Sequence, residues 1–155
     1  MIRRVVTFLG LFSLSLIHFL SAGTYYISTT GSDANGDGSL MNPWATLNHA
    51  CLTIPDDGST VLVMDGTYNG RVQLHRRFVN HTFFKAMNLY KAVLVNDSTT
   101  QQVLISFGGA NFTIEGFRVT RPDPSATGDT LVQIQQGSQQ AQDIIIKNDI
   151  FHDSY

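Results

Sequence analysis

Short runs of β-branched and aromatic residues, each bounded by turn-forming residues, punctuate the chain from Tyr25 onward. They are Tyr25 to Ile27, Thr60 to Met64, Val72 to Leu74, Thr82 to Phe84, Ala92 to Val95, Val103 to Phe107, Phe112 to Val119, Thr130 to Ile134 and Ile144 to Phe151. Such runs predict strands, because branched and aromatic side chains fit a pleated, half-buried surface. One segment has helical spacing instead. From Pro43 to Ile54, the residues Trp44, Leu47, Ala50, Cys51 and Ile54 recur at threes and fours on one face, with Asn42 as N-cap and Pro43 near the first helical position. Pro55-Asp56-Asp57-Gly58 then stops that helix. Asp65-Gly66 and Asn69-Gly70 carry the chemistry of hairpin turns, and Arg121 to Asp129, with two prolines and Gly128, predicts a surface loop.

Strands at about ten-residue spacing suggest a sandwich by default. An internal repeat points elsewhere. Phe112 to Val119 overlays Ile144 to Phe151 at an offset of 32, apolar at both ends and small or polar in the middle. Stacked coils have this signature, since one coil cannot bury its apolar side chains without a neighbour presenting the same face. Alternation then predicts Phe112, Ile114, Val119, Ile144, Ile146 and Phe151 pointing in. Thr113, Glu115, Arg118, Lys147, Ile150 and His152 point out.

Composition narrows the function classes. The 155 residues carry 10 Lys and Arg against 12 Asp and Glu, so no basic stripe exists to neutralise phosphates, and nucleic acid is not an expected partner. A lone Cys51 excludes an internal disulfide and a cysteine-based zinc site, and reads as a small apolar residue beneath the helix. Residues 1–22 have the form of a secretory signal peptide: Arg3 and Arg4, sixteen uncharged residues from Val5 to Leu20, then Ser21, Ala22 and Gly23. Cleavage after Ala22 and after Gly23 both remain open. A membrane anchor is the competing reading, but the apolar run falls short of the ~20 residues a span needs. Losing Arg3 and Arg4 takes the basic count from 10 to 8 against 12 acids, so an acidic, secreted or extracellular monomer is expected, without stable membrane insertion. In a eukaryotic host Asn80, Asn96 and Asn111 would open glycosylation sequons.

The order of motifs is distinctive: Tyr25-Tyr26-Ile27-Ser28, the Gly31-to-Ser39 loop, Asn42-Pro43-Trp44-Ala45-Thr46-Leu47, then Val61 to Tyr68 with Asp65-Gly66-Thr67-Tyr68. It resembles the opening of secreted right-handed parallel β-helix proteins of the pectin-lyase-like group, and within that group is most similar to polysaccharide lyase family nine. The resemblance implies an all-β solenoid over residues 23–155, with a short N-terminal capping helix and about four coils. Such solenoids normally end in a cap. The absence of a capping motif before Tyr155 reads as the N-terminal part of a longer, truncated domain.

The resemblance further implies β-elimination on acidic, uronate-containing polysaccharide, with calcium as cofactor acidifying the C5–H and a Lys or Arg removing that proton. On this chain the candidate base is Lys147, and Asp149 and Asp153 are the nearest candidates for a calcium shell, with Glu115, Arg118, Arg121 and His152 around them. The same residues also read as plain interstrand ion pairs, Glu115 with Lys147 and Arg121 with Asp153. A non-catalytic glycan-binding or adhesin module is the alternative function, and a hydrolase or epimerase on the same fold stays open. Asp33-Ala34-Asn35-Gly36-Asp37-Gly38 matches half of a calcium loop, but Trp44 stands where the bidentate Glu belongs, so a metal-free loop is expected. His49, His75 and His81 lack zinc spacing, no Gly-x-Ser-x-Gly elbow occurs, and Arg76-Arg77 forms a short basic patch able to face an acidic polymer.

Overall fold

A computed structural model describes residues 21–96, 103–121 and 130–152. The expected signal peptide, apart from its last small residues, the 122–129 stretch and Asp153 therefore lie outside the described residues.

Among the described residues twelve strands and one helix follow in the order β1 (Thr24–Ile27), α1 (Leu47–Thr53), β2 (Thr60–Val63), β3 (Gly66–Asn69), β4 (Val72–Gln73), β5 (Arg77–Ala86), β6 (Ala92–Val95), β7 (Leu104–Phe107), β8 (Ala110–Glu115), β9 (Arg118–Thr120), β10 (Val132–Gln135), β11 (Gln142–Lys147) and β12 (Ile150–His152). They pair in parallel into three sheets, β1-β2-β5-β8-β11, β3-β6-β9-β12 and β4-β7-β10. From β2 onward every third strand returns to the same sheet, so the chain winds as a parallel β-solenoid. The offset of 32 is realised: Phe112 pairs with Ile144, Ile114 with Ile146 and Val119 with Phe151. Each predicted run of eight residues is two strands, broken where Gly116 (φ 84°) and Asn148 (φ 56°) take left-handed backbone and turn the chain from one sheet to the next.

The core is a set of ladders. On the first sheet Tyr25, Val61, Phe84, Ile114 and Ile146 stack in register, and on the second Tyr68, Leu94, Val119 and Phe151 do the same. Phe84, Phe112, Phe117, Ile114 and Leu94 are fully buried. Ile144 and Ile146 are half-buried and Phe151 is 46% exposed, because no described coil lies over them. Thr113 points outward as predicted, yet it is buried. A bulge in β5 between Arg77 and Thr82 brings His81 over it, with His81 Nε2 at 2.8 Å from Thr113 Oγ1.

Three local expectations are corrected. The helix begins at Leu47 rather than Pro43, capped by Thr46, whose hydroxyl accepts from the His49 N–H at 3.1 Å. Trp44 precedes the helix because its backbone is occupied elsewhere, its N–H donating to the Tyr26 carbonyl and its carbonyl accepting from Ser28. Asp65-Gly66 and Asn69-Gly70 turn corners between parallel strands rather than closing hairpins, and Gly66-Thr67-Tyr68-Asn69 is itself β3. Trp44, Leu47, Ala50, Cys51 and Ile54 do form the buried side that covers the first coil. Among the described residues, no helix is long and apolar enough to cross a membrane.

Candidate functional site

Parallel pairing places chemically matched side chains on the outer surface of the first sheet. Alternation turns Tyr26, Leu62, Lys85, Glu115 and Lys147 outward on five successive strands, in register, one rung of about 4.8 Å apart. Glu115 is the centre of this row. Its carboxylate takes Lys85 at 3.0 Å and Lys147 at 3.5 Å, from the coils on either side. The hydrogen bond from Lys85 is the main reason that its carboxyl lies below the usual range, with Lys147 adding to it. A parallel row, Thr60, Phe83, Thr113 and Ile145, runs beside it. Phe83 is packed between the His81 ring, centroids 5.0 Å apart, and the Lys85 ammonium, 5.3 Å from the ring centre.

Lys147 is thus an ion-paired but accessible lysine, its side chain 48% exposed. Asp149 is two residues on, past the left-handed Asn148, and turns the other way. Its Oδ1 accepts the Phe117 N–H at 2.5 Å, while Oδ2 is buried with no hydrogen-bond partner. Burial, reinforced by the Glu115 charge, pushes the Asp149 carboxyl up to about 6. Asn148 joins the group by donating to Glu115 at 3.2 Å. Arg118 donates to His152 at 2.5 Å on the neighbouring sheet. Arg121 is buried and donates to the Thr130 carbonyl at 3.3 Å.

Calcium takes six to eight oxygens. The described residues do not supply them: no three Asp, Glu, His or Cys side chains come together, and Asp149 offers one oxygen. The Asp33 carboxylate is likewise occupied by loop structure, accepting from the Ala45 and Thr46 N–H groups at 2.8 and 3.0 Å and from the Thr46 hydroxyl at 2.7 Å. Asp37 accepts from the Ser39 N–H at 2.8 Å, and its hydrogen bonds to Ser39 lower its carboxyl. Both acids are thus engaged in the hydrogen bonds that hold this loop.

The Arg76-Arg77 patch is corrected. Arg76 turns inward to the helix and donates to the carbonyls of Cys51, Leu52 and Ile54 at 3.3, 3.3 and 2.6 Å. Arg77 reaches across the next two coils, to the Gly108 carbonyl at 2.9 Å on the first and to the Gln140 carbonyl at 2.6 Å and the Gln142 amide oxygen at 3.1 Å on the second. Both guanidiniums satisfy backbone that the corners leave unpaired. His49 lies against Trp44, His75 stacks on Phe107 and accepts its N–H at 3.0 Å, and Cys51 is buried beneath the cap. Of the sequon asparagines, Asn96 is buried and Asn111 is turned to the Phe78 carbonyl at 2.7 Å; Asn80 alone is exposed.

No family model, no curated protein and no solved structure matches the chain.

Proposed function

We propose that this chain is the working flank of an exported carbohydrate-active β-helix that engages acidic, uronate-containing polysaccharide. The observation that carries the reading is the outward row on the first sheet, where Lys85 and Lys147 face a single Glu115 beside the half-exposed Phe83 ring. The row has one positive charge more than it neutralises internally. Regular rungs of cation, hydroxyl and aromatic ring suit a linear polymer that repeats carboxylate and sugar face along its length. Export rests on the N-terminal pattern of Arg3-Arg4, apolar run and small residues.

A second reading is lyase chemistry, with Lys147 as base and Asp149 and Asp153 as calcium ligands. The buried, unpartnered Oδ2 of Asp149 speaks for it. The described residues by themselves do not make a calcium shell, so this reading needs further oxygen ligands beside Asp149.

Retention of the purified protein on immobilised polygalacturonate, alginate and a neutral glucan distinguishes the readings, with soluble products assayed for unsaturated uronides with and without calcium. Retention on the acidic polymers alone, weakened by Lys147→Gln and without product, is the expected result. Calcium-dependent product that is lost in Lys147→Gln and in Asp149→Asn would establish the lyase reading. Neither retention nor product would overturn both.

A further inference from the structure

Among the described residues, the first to be held by the fold is Gly23. Its N–H donates to the Ser59 hydroxyl at 2.8 Å and its carbonyl accepts the Thr60 N–H at 2.9 Å, one residue before β1 begins to pair with β2. Ser21 and Ala22, ahead of it, are exposed. Ser59 is fully buried, and its hydroxyl in turn donates to the Asp57 carboxylate. Position 23 has little room for a side chain, since a Cβ there would stand 2.9 Å from the Tyr25 ring, which is itself stacked on Trp44 with centroids 5.2 Å apart.

This arrangement offers more than a peptide N–H uses. An amide needs one acceptor, and the Ser59 oxygen is sufficient for it. The carboxylate behind that oxygen has no such local purpose. Its neighbour Asp56 is turned the other way, onto the Val79 and Asn80 N–H groups of the β5 bulge at 2.9 to 3.0 Å. Asp57 faces Ser59 and is half-buried; among the described residues the ion pairs are those of Glu115, and Asp57 has no Lys or Arg paired with it. A half-buried carboxylate one hydroxyl away from a chain nitrogen is complementary to an ammonium at that nitrogen, which brings three donors and a positive charge.

We propose that the exported chain is cut between Ala22 and Gly23, and that Ser59 and Asp57 form the binding site of the new Gly23 ammonium. The inference rests on the export that the proposed function includes, and it chooses between the two cleavage points open in the sequence. The cut is a hydrolysis by a signal peptidase of the exporting host. Water gives its hydroxyl to the Ala22 carbonyl carbon, the C–N bond breaks, and the Gly23 nitrogen takes the remaining proton of the water and then the proton of the new carboxyl. Ala22 is left as a carboxylate and Gly23 as an ammonium. Ala22 is the small residue such an enzyme needs beside the cut. A cut one residue later would remove Gly23, depriving the buried Ser59 oxygen of its donor and the Thr60 N–H of its acceptor.

Expression of the full-length chain in a secreting host, with intact mass and terminal sequencing of the product, tests the cut. The mature chain should begin at Gly23, and a start at Thr24 or at any other residue would overturn the assignment. Thermal unfolding tests the binding site. The mature chain is compared with the same chain begun at Ser21, in which the Gly23 nitrogen is an amide, each with and without Asp57→Asn. Asn keeps an acceptor for Ser59 and removes the charge. Asp57→Asn should lower the melting temperature of the chain begun at Gly23 by about 2 to 4 °C more than that of the chain begun at Ser21. Equal losses in the two chains would make Asp57 a residue that holds its loop and would overturn the ammonium site. Secretion with a different start would overturn this inference and leave export standing, whereas a chain kept in the cell with residues 1–22 attached would overturn the export reading and this inference with it.

Discussion

Asp149 and Glu115 show how one carboxylate can be turned outward and its neighbour inward within a few ångströms of chain. Glu115 is held charged by two lysines, whereas Asp149 is turned into the corner, where the Phe117 N–H meets it and burial raises it. Folding therefore favours the protonated form of Asp149. Between its ordinary 3.8 and about 6 the folded state binds more protons than the unfolded one, so this group's contribution to stability is greatest below pH 4 and is lost as pH rises through 6. Asp149→Asn keeps the acceptor for Phe117 and removes the ionisation. With the residue only partly buried, solvent screening limits the effect to about 1 kcal/mol. The variant should be more stable than the parent at pH 8 by that amount and equal to it near pH 4, as followed by urea unfolding at both pH values. A constant difference across pH would mean that ionisation of Asp149 is not the cause.

At the level of elements, α1 depends on a residue that lies far from it in sequence. The helix has no basic side chain in its last turn, and its final carbonyls are met by Arg76, which stands between β4 and β5. A cation at that end satisfies orphan acceptors and the negative end of the helix dipole together. Arg76→Met should cost about 2 kcal/mol of stability, seen as a lower denaturant midpoint with an unchanged slope. Amide exchange should quicken first at the end of α1; exchange that quickens evenly over the whole chain would assign Arg76 to general packing. This contact also marks the limit of what is legible in the chain. The 32-residue repeat, the buried side of the helix and the in-out alternation of β8 and β11 are local patterns, and they can be read because pleat and helix impose fixed periods on apolar residues. The role of Arg76 and Arg77 is not local: their partners lie 22 to 65 residues away, and a pair of arginines before a strand looks the same whether it faces solvent or a helix end. β3 is hidden for a different reason. Gly66-Thr67-Tyr68-Asn69 has turn composition, and only pairing with β6 makes it a strand. Of the candidate site, the Lys147–Glu115 pair follows from the offset alone, whereas the bulge that lays His81 on Thr113 arises from backbone irregularity that carries no periodic signal.

Across the whole molecule, stability is built from contacts between one coil and the next. Phe112 lies between layers, its ring against Phe84 with centroids 6.2 Å apart and its backbone paired to both β5 and β11, and it is fully buried. Phe151 continues the Tyr68, Leu94 and Val119 ladder but is nearly half exposed. In a quasi-one-dimensional stack each residue stabilises through its nearest neighbours, so a ring between two described layers contributes twice where a ring on the last described layer contributes once. Phe112→Ala should therefore cost about 3 to 5 kcal/mol, the range for emptying a packed aromatic site, and Phe151→Ala roughly 1 kcal/mol. Chemical denaturation of the two variants measures both. The loss of Phe112 should also loosen the coils on either side, so that amide exchange rises in β5 and β11 together, while loss of Phe151 should be felt in β12 and β9 alone. Equal costs for the two substitutions, or a Phe112 effect confined to β8, would mean that the three sheets are coupled around each coil more strongly than along the stack.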